Sequence, residues 1–256
     1  MDELRIRSLC AGYGGRKVID GAELTVRAGE VCALLGLNGS GKSTLLRAAM
    51  GLLPVSEGGV FLGERDLLAM GARERARHCA YIPQRSRMDG GITALEAVLM
   101  GANASTPLFS GYSAAQRERA KSCLDEMGAL AWAETPVGAL SEGQRQTVVF
   151  ARAIMQRASV LLLDEPDGAL DLPRRGAMME AVRRMAGAGP CAALVALHDA
   201  SLALSRCDRV LILMGGRIAF DLDMRCAGEE QVERALCALY GPVDIVRRGR
   251  RFAVLG

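Results

Sequence analysis

Gly36-Leu37-Asn38-Gly39-Ser40-Gly41-Lys42-Ser43-Thr44 fits the phosphate-loop template G-x-x-x-x-G-K-[ST] at every position. Its glycines let the backbone turn tightly enough to aim several N–H groups at one point, and a helix opening near Lys42 would bring its positive dipole end there. Such a cradle suits a polyphosphate. Lys42 would reach the β- and γ-phosphates, and Ser43 would offer its hydroxyl to Mg²⁺. The preceding apolar run Val31-Cys32-Ala33-Leu34-Leu35 reads as the buried parallel strand that delivers the loop. An ordinary glycine-rich turn is the poorer reading: the only lysines are Lys17, Lys42 and Lys121, and one of them falls on the required position.

Working outward, 256 residues suit one large α/β domain with a substantial core. Half the residues are hydrophobic (50%) and 24% are charged, which sets disorder aside. The net charge of +3 gives no clustered basic stripe. The densest basic group, Arg247, Arg248, Arg250 and Arg251, brackets Gly249 between apolar runs and reads as a solvated β-hairpin, so no nucleic acid partner is expected. The 8 cysteines form no C-x-x-C and no metal-ligand spacing, and read as reduced thiols in apolar surroundings. Met1-Asp2-Glu3 lacks the basic-then-apolar profile of a signal peptide. The apolar stretch from Cys191 to Leu204 is broken by His198 and Asp199 and is too short to span a bilayer, so another chain would supply any membrane span.

From Leu4 to Val26, short apolar runs with turns at Gly12 to Gly15 and at Asp20-Gly21 suggest antiparallel strands, and Gly58 to Gly63 another, with the β-layer ending there. Residues 72–78 suggest a short charged helix before the strand Ala80-Tyr81-Ile82, which stops at Pro83. From Ile92 to Arg157 the pattern is helical, with Thr93, Ser113 and Ser141 as N-caps. Val160–Asp164, a helix near 173–186, Ala193–Leu197, a helix over 200–206 and Val210–Leu213 then alternate as a parallel sheet requires.

Further segments stand in a fixed order after the phosphate loop: Gln84 after Tyr81-Ile82-Pro83, Leu140-Ser141-Glu142-Gly143-Gln144, Leu163-Asp164-Glu165-Pro166, Ala169-Leu170-Asp171 and Leu197-His198-Asp199. With Tyr13 before the loop, the chain resembles the ATP-binding-cassette ATPases over nearly its whole length. The resemblance implies the P-loop NTPase α/β fold: a RecA-like parallel sheet with an N-terminal antiparallel β-layer and an inserted α-helical subdomain. It implies one domain over 1–256, with 1–91 and 157–256 as the nucleotide-binding core and 92–156 as the helical subdomain. Lys42 and the residues Gly36, Asn38, Gly39, Ser40, Gly41, Ser43 and Thr44 correspond to Walker A, Asp164 to the Walker B metal carboxylate, and Glu165 to the catalytic base. Gln84 matches the Q-loop, with a place at Mg²⁺, His198 the switch histidine, Asp171 the D-loop and Tyr13 the adenine-stacking aromatic. Ser141, Gly143 and Gln144 match the signature that contacts the γ-phosphate held by a second subunit.

The chemistry agrees with these positions. A carboxylate at a buried strand end beside the phosphate loop can hold Mg²⁺, and its neighbour can reach an attacking water. A serine-capped helix N-terminus is an anion site. Glu142 departs from the glycine usual in the signature, and Asp167-Gly168 from the small hydroxyl residue common after Glu-Pro. Thr147 also replaces a basic residue often seen shortly after the signature.

The expected activity is Mg²⁺-dependent hydrolysis of ATP by a homodimer formed in the ATP-bound state. Without a tandem cassette or coiled coil, the chain resembles the separate ATPase subunit of a bacterial importer. It would sit in the cytoplasm, peripheral on the inner face of the cell membrane, on integral-membrane permease subunits and indirectly on a substrate-binding protein. The wording around Gly51-Leu52-Leu53-Pro54 and Tyr240-Gly241-Pro242-Val243 resembles the iron-siderophore, haem and cobalamin importers. Residues 85–111, with apolar Ile92, Leu95, Val98, Leu99 and Leu108, are expected to meet the permease. A soluble non-transport ATPase of the same type and a degenerate nucleotide-gated clamp are the alternatives. A GTPase is excluded, because no lysine follows an asparagine as Asn-Lys-x-Asp requires.

Overall fold

A hairpin opens the computed structural model, which describes residues 3–84, 88, 90–107, 109–168, 172–248 and 251–255. Strands β1 (Leu4–Tyr13) and β2 (Arg16–Val26) turn at Gly14-Gly15, both at positive φ, a conformation glycine adopts without strain. The turn expected at Asp20-Gly21 does not form. Leu9 pairs with Ala22 and Cys10 with Asp20, so Gly21 (φ 75°) is the extra residue of a bulge inside β2.

Next come β3 (Val31–Leu35), α1 (Lys42–Ala49), β4 (Val55–Leu62) and β5 (Arg65–Asp66). An antiparallel sheet forms in the order β2-β1-β4-β5, so the β-layer continues one short strand beyond its expected end at Gly63. The charged helix α2 (Ala72–His78) leads into β6 (Cys79–Ile82).

Three helices follow, α3 (Ala94–Leu99), α4 (Ala114–Glu126) and α5 (Glu142–Gln156), capped by Thr93, Ser113 and Ser141. Each cap is a full reciprocal box with Glu96, Gln116 or Gln144, which satisfies two orphan N–H groups at once. The apolar residues expected to seek an outside partner turn inward instead. Leu95, Val98 and Leu99 share one face at helical spacing and are buried against Leu124 and Val148 of the neighbouring helices, while Ile92 is half-buried. Leu108 and Arg85 lie outside the described residues.

The chain then alternates: β7 (Val160–Asp164), α6 (Leu172–Gly187), β8 (Ala192–Ala196), α7 (Ala200–Arg206) and β9 (Arg209–Met214). It closes with β10 (Arg217–Asp223), α8 (Glu229–Tyr240) and the hairpin β11 (Asp244–Arg248) and β12 (Arg251–Leu255). The second sheet has the order β10-β9-β3-β8-β7-β6, parallel throughout except for β10.

Its two faces explain the continuous apolar runs. In β3, Val31, Ala33 and Leu35 pack with Phe150 and Val182 on the helical side, while Cys32 and Leu34 pack with Leu45, Leu46 and the antiparallel sheet. With both faces covered, every residue of β3, β7 and β8 is buried. A Leu34→Ala change would leave a cavity costing about 2–5 kcal/mol.

Candidate functional site

The strand order brings the C-terminal ends of β3, β8, β7 and β6 side by side, where loops of an open α/β sheet bind ligands. Lys42 follows β3, His198 follows β8, Asp164 and Glu165 end β7, and Gln84 follows β6. Residues up to 156 positions apart thereby face one point.

The phosphate loop is wedged between β2 and β9. A Cβ on Gly41 (φ 105°) would lie 2.8 Å from Ile19 Cδ1, and one on Gly36 would lie 2.4 Å from Ser40 Oγ and 2.9 Å from the Leu213 carbonyl oxygen. Asn38 and Gly39 form its exposed crest, and Thr44 is buried in α1. The buried Lys42 ammonium donates to the carbonyls of Gly36 (2.8 Å) and Leu37 (3.4 Å). Ser40 Oγ is buried without a hydrogen-bond partner among the described residues, a polar atom left for a ligand inside the cradle. A cavity of about 300 Å³ runs from Gly39 and Ser40 past Arg16 and Lys17 of β2, two basic side chains that the motif reading did not include.

Asp164 is fully buried. Its Oδ1 accepts the Ser43 hydroxyl at 2.7 Å and its Oδ2 accepts the Tyr81 hydroxyl at 3.0 Å. Burial, then the Asp164 charge, pushes the Tyr81 phenol up to about 12, so it stays a donor. Tyr81 had no role in the sequence reading; it sits one strand over, opposite Leu162, and only the β6–β7 pairing makes it a neighbour of Asp164. The Arg47 guanidinium is held above its ordinary value by the Tyr81 hydroxyl and then by Tyr13. Tyr13, at the end of β1, has about half of its surface open.

Glu165 is the hub. Its Oε2 accepts from Gln84 Nε2 (2.5 Å) and lies 2.6 Å from His198 Nε2, while Lys42 Nζ lies 3.5 Å from Oε1. It sits at φ 48°, a left-handed conformation that costs a non-glycine residue about 1–2 kcal/mol. The Glu165 N–H to Ala196 carbonyl bond (3.1 Å) anchors that turn to β8. A hydroxyl from Ser43 and a carboxylate from Asp164, from separate segments and in direct contact, form the hard-oxygen set that suits Mg²⁺, which takes few protein ligands and keeps the rest for water and phosphate.

Asp167, which stands in place of the small hydroxyl residue common after Glu-Pro, turns inward. It is buried, its Oδ1 has no partner among the described residues, and burial pushes its carboxyl above the usual range against the pull of Arg175 and His198.

Ser141, Gly143 and Gln144 open α5 with no hydrogen bond or ion pair to the Lys42–Glu165 cluster among the described residues. Ser141 Oγ accepts the Gln144 N–H (3.3 Å), and Gln144 Oε1 accepts the Ser141 N–H (2.8 Å). Glu142 folds back onto Arg145 at 2.6 Å. Ala169, Leu170 and Asp171 lie outside the described residues.

The family model of the ABC transporter ("ABC_tran") matches residues 19–168, more than half of the chain and the part that carries the phosphate loop and both strand-end carboxylates. The chain belongs to the ABC transporter family. Within that family it is similar to the hemin import ATP-binding protein HmuV of Rhodococcus jostii (strain RHA1), 37% identical over 95% of this chain and 82% of the relative. The phosphonates import ATP-binding protein PhnC of Escherichia coli (strain K12) is 34% identical over 85% of this chain and 88% of its own length. Among solved structures, an ATP-binding subunit of an ABC transporter superposes with a TM-score of 0.79 at 27% identity, covering 93% of this chain and 97% of that one. This ABC cassette is thus an ATPase of the ABC type, and its two sheets are those of the family fold.

Proposed function

We propose that the chain binds and hydrolyses ATP as the separate energising subunit of an ABC importer. The observation that carries the hydrolytic reading is the convergence of Lys42, Gln84 and His198 on the Glu165 carboxylate beside the Ser43–Asp164 pair.

In this reading Lys42 exchanges its Gly36 and Leu37 carbonyls for the β- and γ-phosphates, while the loop N–H groups and Ser40 complete the cradle. Tyr13 takes the adenine. Ser43, Asp164 and the Gln84 side-chain oxygen would hold Mg²⁺, which supplies charge neutralisation on the phosphates when bound. Glu165 Oε2 receives a proton from the attacking water as the water oxygen bonds to the γ-phosphorus and the bond to the ADP oxygen breaks. His198 keeps that carboxylate turned toward the water and faces the γ-phosphate, and Gln84 relays the occupied state to the helices beyond β6. The pre-set hydrogen bonds matter because a positioned base contributes on the order of 10² to 10⁴ in rate.

Residues 92–156 act as a helical subdomain on a core of 1–91 and 157–256. Its Ser141, Gly143 and Gln144 complement the nucleotide of a second subunit in a head-to-tail homodimer, with Asp171 at the same junction. Among the described residues no helix is long and apolar enough to cross a membrane; a place on the cytoplasmic face of a separate permease is supported by the import ATP-binding relatives. A substrate-binding protein would join through that permease, and no nucleic acid takes part.

For cargo we favour the iron-siderophore, haem and cobalamin group, with haem the narrowest form, supported by the hemin import relative; the phosphonate import relative supports import in general. Affinity purification of the tagged chain from membranes, followed by identification of the partner, tests the reading. A multi-span permease is expected, with haem uptake lost on its deletion. Recovery of the chain with ribosomes or DNA repair factors would replace the importer with a non-transport ATPase.

A further inference from the structure

A cavity of about 640 Å³ opens on the far side of the sheet from the phosphate loop, in the seam between α5 and α6. No residue of the phosphate cradle lines it. Its volume falls within the range of small-molecule sites, about 300–1,000 Å³. The floor is apolar, built from Ile154 at the end of α5, Ala181 and Met185 of α6, and Cys191 before β8.

The rim has the opposite character. Arg157, the left-handed cap of α5, and Arg184, in the last turn of α6, both line the cavity, and neither makes an ion pair or side-chain hydrogen bond among the described residues. Arg119 joins them from α4; its Nη1 is held by Glu126 at 3.3 Å, while its Nε is buried without a partner. With Glu126 as the one acid among the described lining residues, these carry two positive charges in excess. Among the described residues no aromatic side chain lines it, so they offer no platform on which a base or a planar ring would stack.

The geometry points to a binding site for a single-chain aliphatic anion: a hydrocarbon chain on the Ile154–Met185 floor and a carboxylate or phosphate head on Arg157 and Arg184. Guanidinium groups match both heads bidentately, and each methylene buried on the apolar floor adds to the binding. Because the head spans the end of α5 and the end of α6, an occupant ties the helix that begins with Ser141 to the core. The site does not depend on the proposed cargo.

The test is fluorescence titration of the full chain with cis-parinaric acid below its micellar concentration, with ATP in excess. Saturable binding is expected, displaced by laurate or dodecyl phosphate, which separate the two heads, and not by dodecylammonium. Arg157→Gly suits the left-handed backbone and Arg184→Gln is on an exposed helix face, so both should fold; each is expected to weaken binding about threefold and the pair about tenfold. Arg65→Gln, on the antiparallel sheet, should leave it unchanged. No saturable binding with ATP in excess, equal competition by dodecylammonium, or wild-type affinity in the double variant would overturn the assignment.

Discussion

The departure at Glu142 allows a quantitative test. Its carboxylate is engaged by Arg145 Nη2 at 2.6 Å, and both side chains are partly exposed. Seen from a triphosphate held by a second subunit, the pair is a small dipole and its two charges nearly cancel. Glu142→Gln removes one of them and leaves Arg145 facing the phosphates. At a separation of about 10 Å, Coulomb's law gives roughly 0.4 kcal/mol per unit of phosphate charge in bulk water and roughly 1.7 at an effective dielectric near 20. Salt with a Debye length of about 8–10 Å screens the larger figure to about a third. That is about 0.6 kcal/mol per unit of phosphate charge, so against about two net phosphate charges near 1 kcal/mol, or about fivefold, should remain. We expect Glu142→Gln to tighten ATP-dependent dimerisation about fivefold in a Glu165→Gln background, measured by sedimentation velocity. Arg145→Gln should loosen it by a similar factor, and the double variant should return close to the starting value. All three shifts should grow at low salt. A hundredfold gain for Glu142→Gln, or an Arg145→Gln dimer as tight as its parent, would refute the neutralised-pair argument.

Glu165→Gln alone should keep ATP binding and lose hydrolysis by about 10² to 10⁴, roughly 3 to 5 kcal/mol, in a phosphate-release assay; its amide can still accept from Gln84 and His198, but it takes no proton from water. Lys42→Ala should instead weaken equilibrium binding of a labelled ATP analogue, and undiminished binding would remove Lys42 from the cradle. Asp167→Asn probes the buried carboxyl. Burial raises the folded-state value of Asp167, so the protonated form favours the fold below the unfolded-state value, and that stability is lost as pH rises through the folded value. The asparagine variant should unfold at higher denaturant than wild type near neutral pH, with the gap closing as pH falls through the acid range, and a pH-independent gap would contradict the burial argument.

Much of this was readable one element at a time. The run 31–35 had to be a covered strand, because five consecutive apolar residues leave no polar face for water, and both faces proved to be packed. The caps Thr93, Ser113 and Ser141 were legible because each has its Glu or Gln partner three residues on, a local contact that needs no tertiary help. Gly21 misled for the converse reason: Asp-Gly carries the chemistry of a turn, and only the cross-strand register makes it a bulge. The inward stripe of Leu95, Val98 and Leu99 shows the same limit, since a sequence marks an apolar face without marking what covers it.

The candidate site divides along the same line. The sequence by itself determined the phosphate loop, the acid pair after β7 and the family, because those depend on short-range spacing that chain connectivity preserves. Tertiary structure alone decided that Tyr81 serves Asp164, that Glu165 is strained and shared by Gln84 and His198, and that Asp167 is buried. Each of those rests on the strand order β3-β8-β7-β6. Parallel neighbours are distant in sequence, so which strand ends meet is settled by packing both faces of the sheet and not by any local pattern.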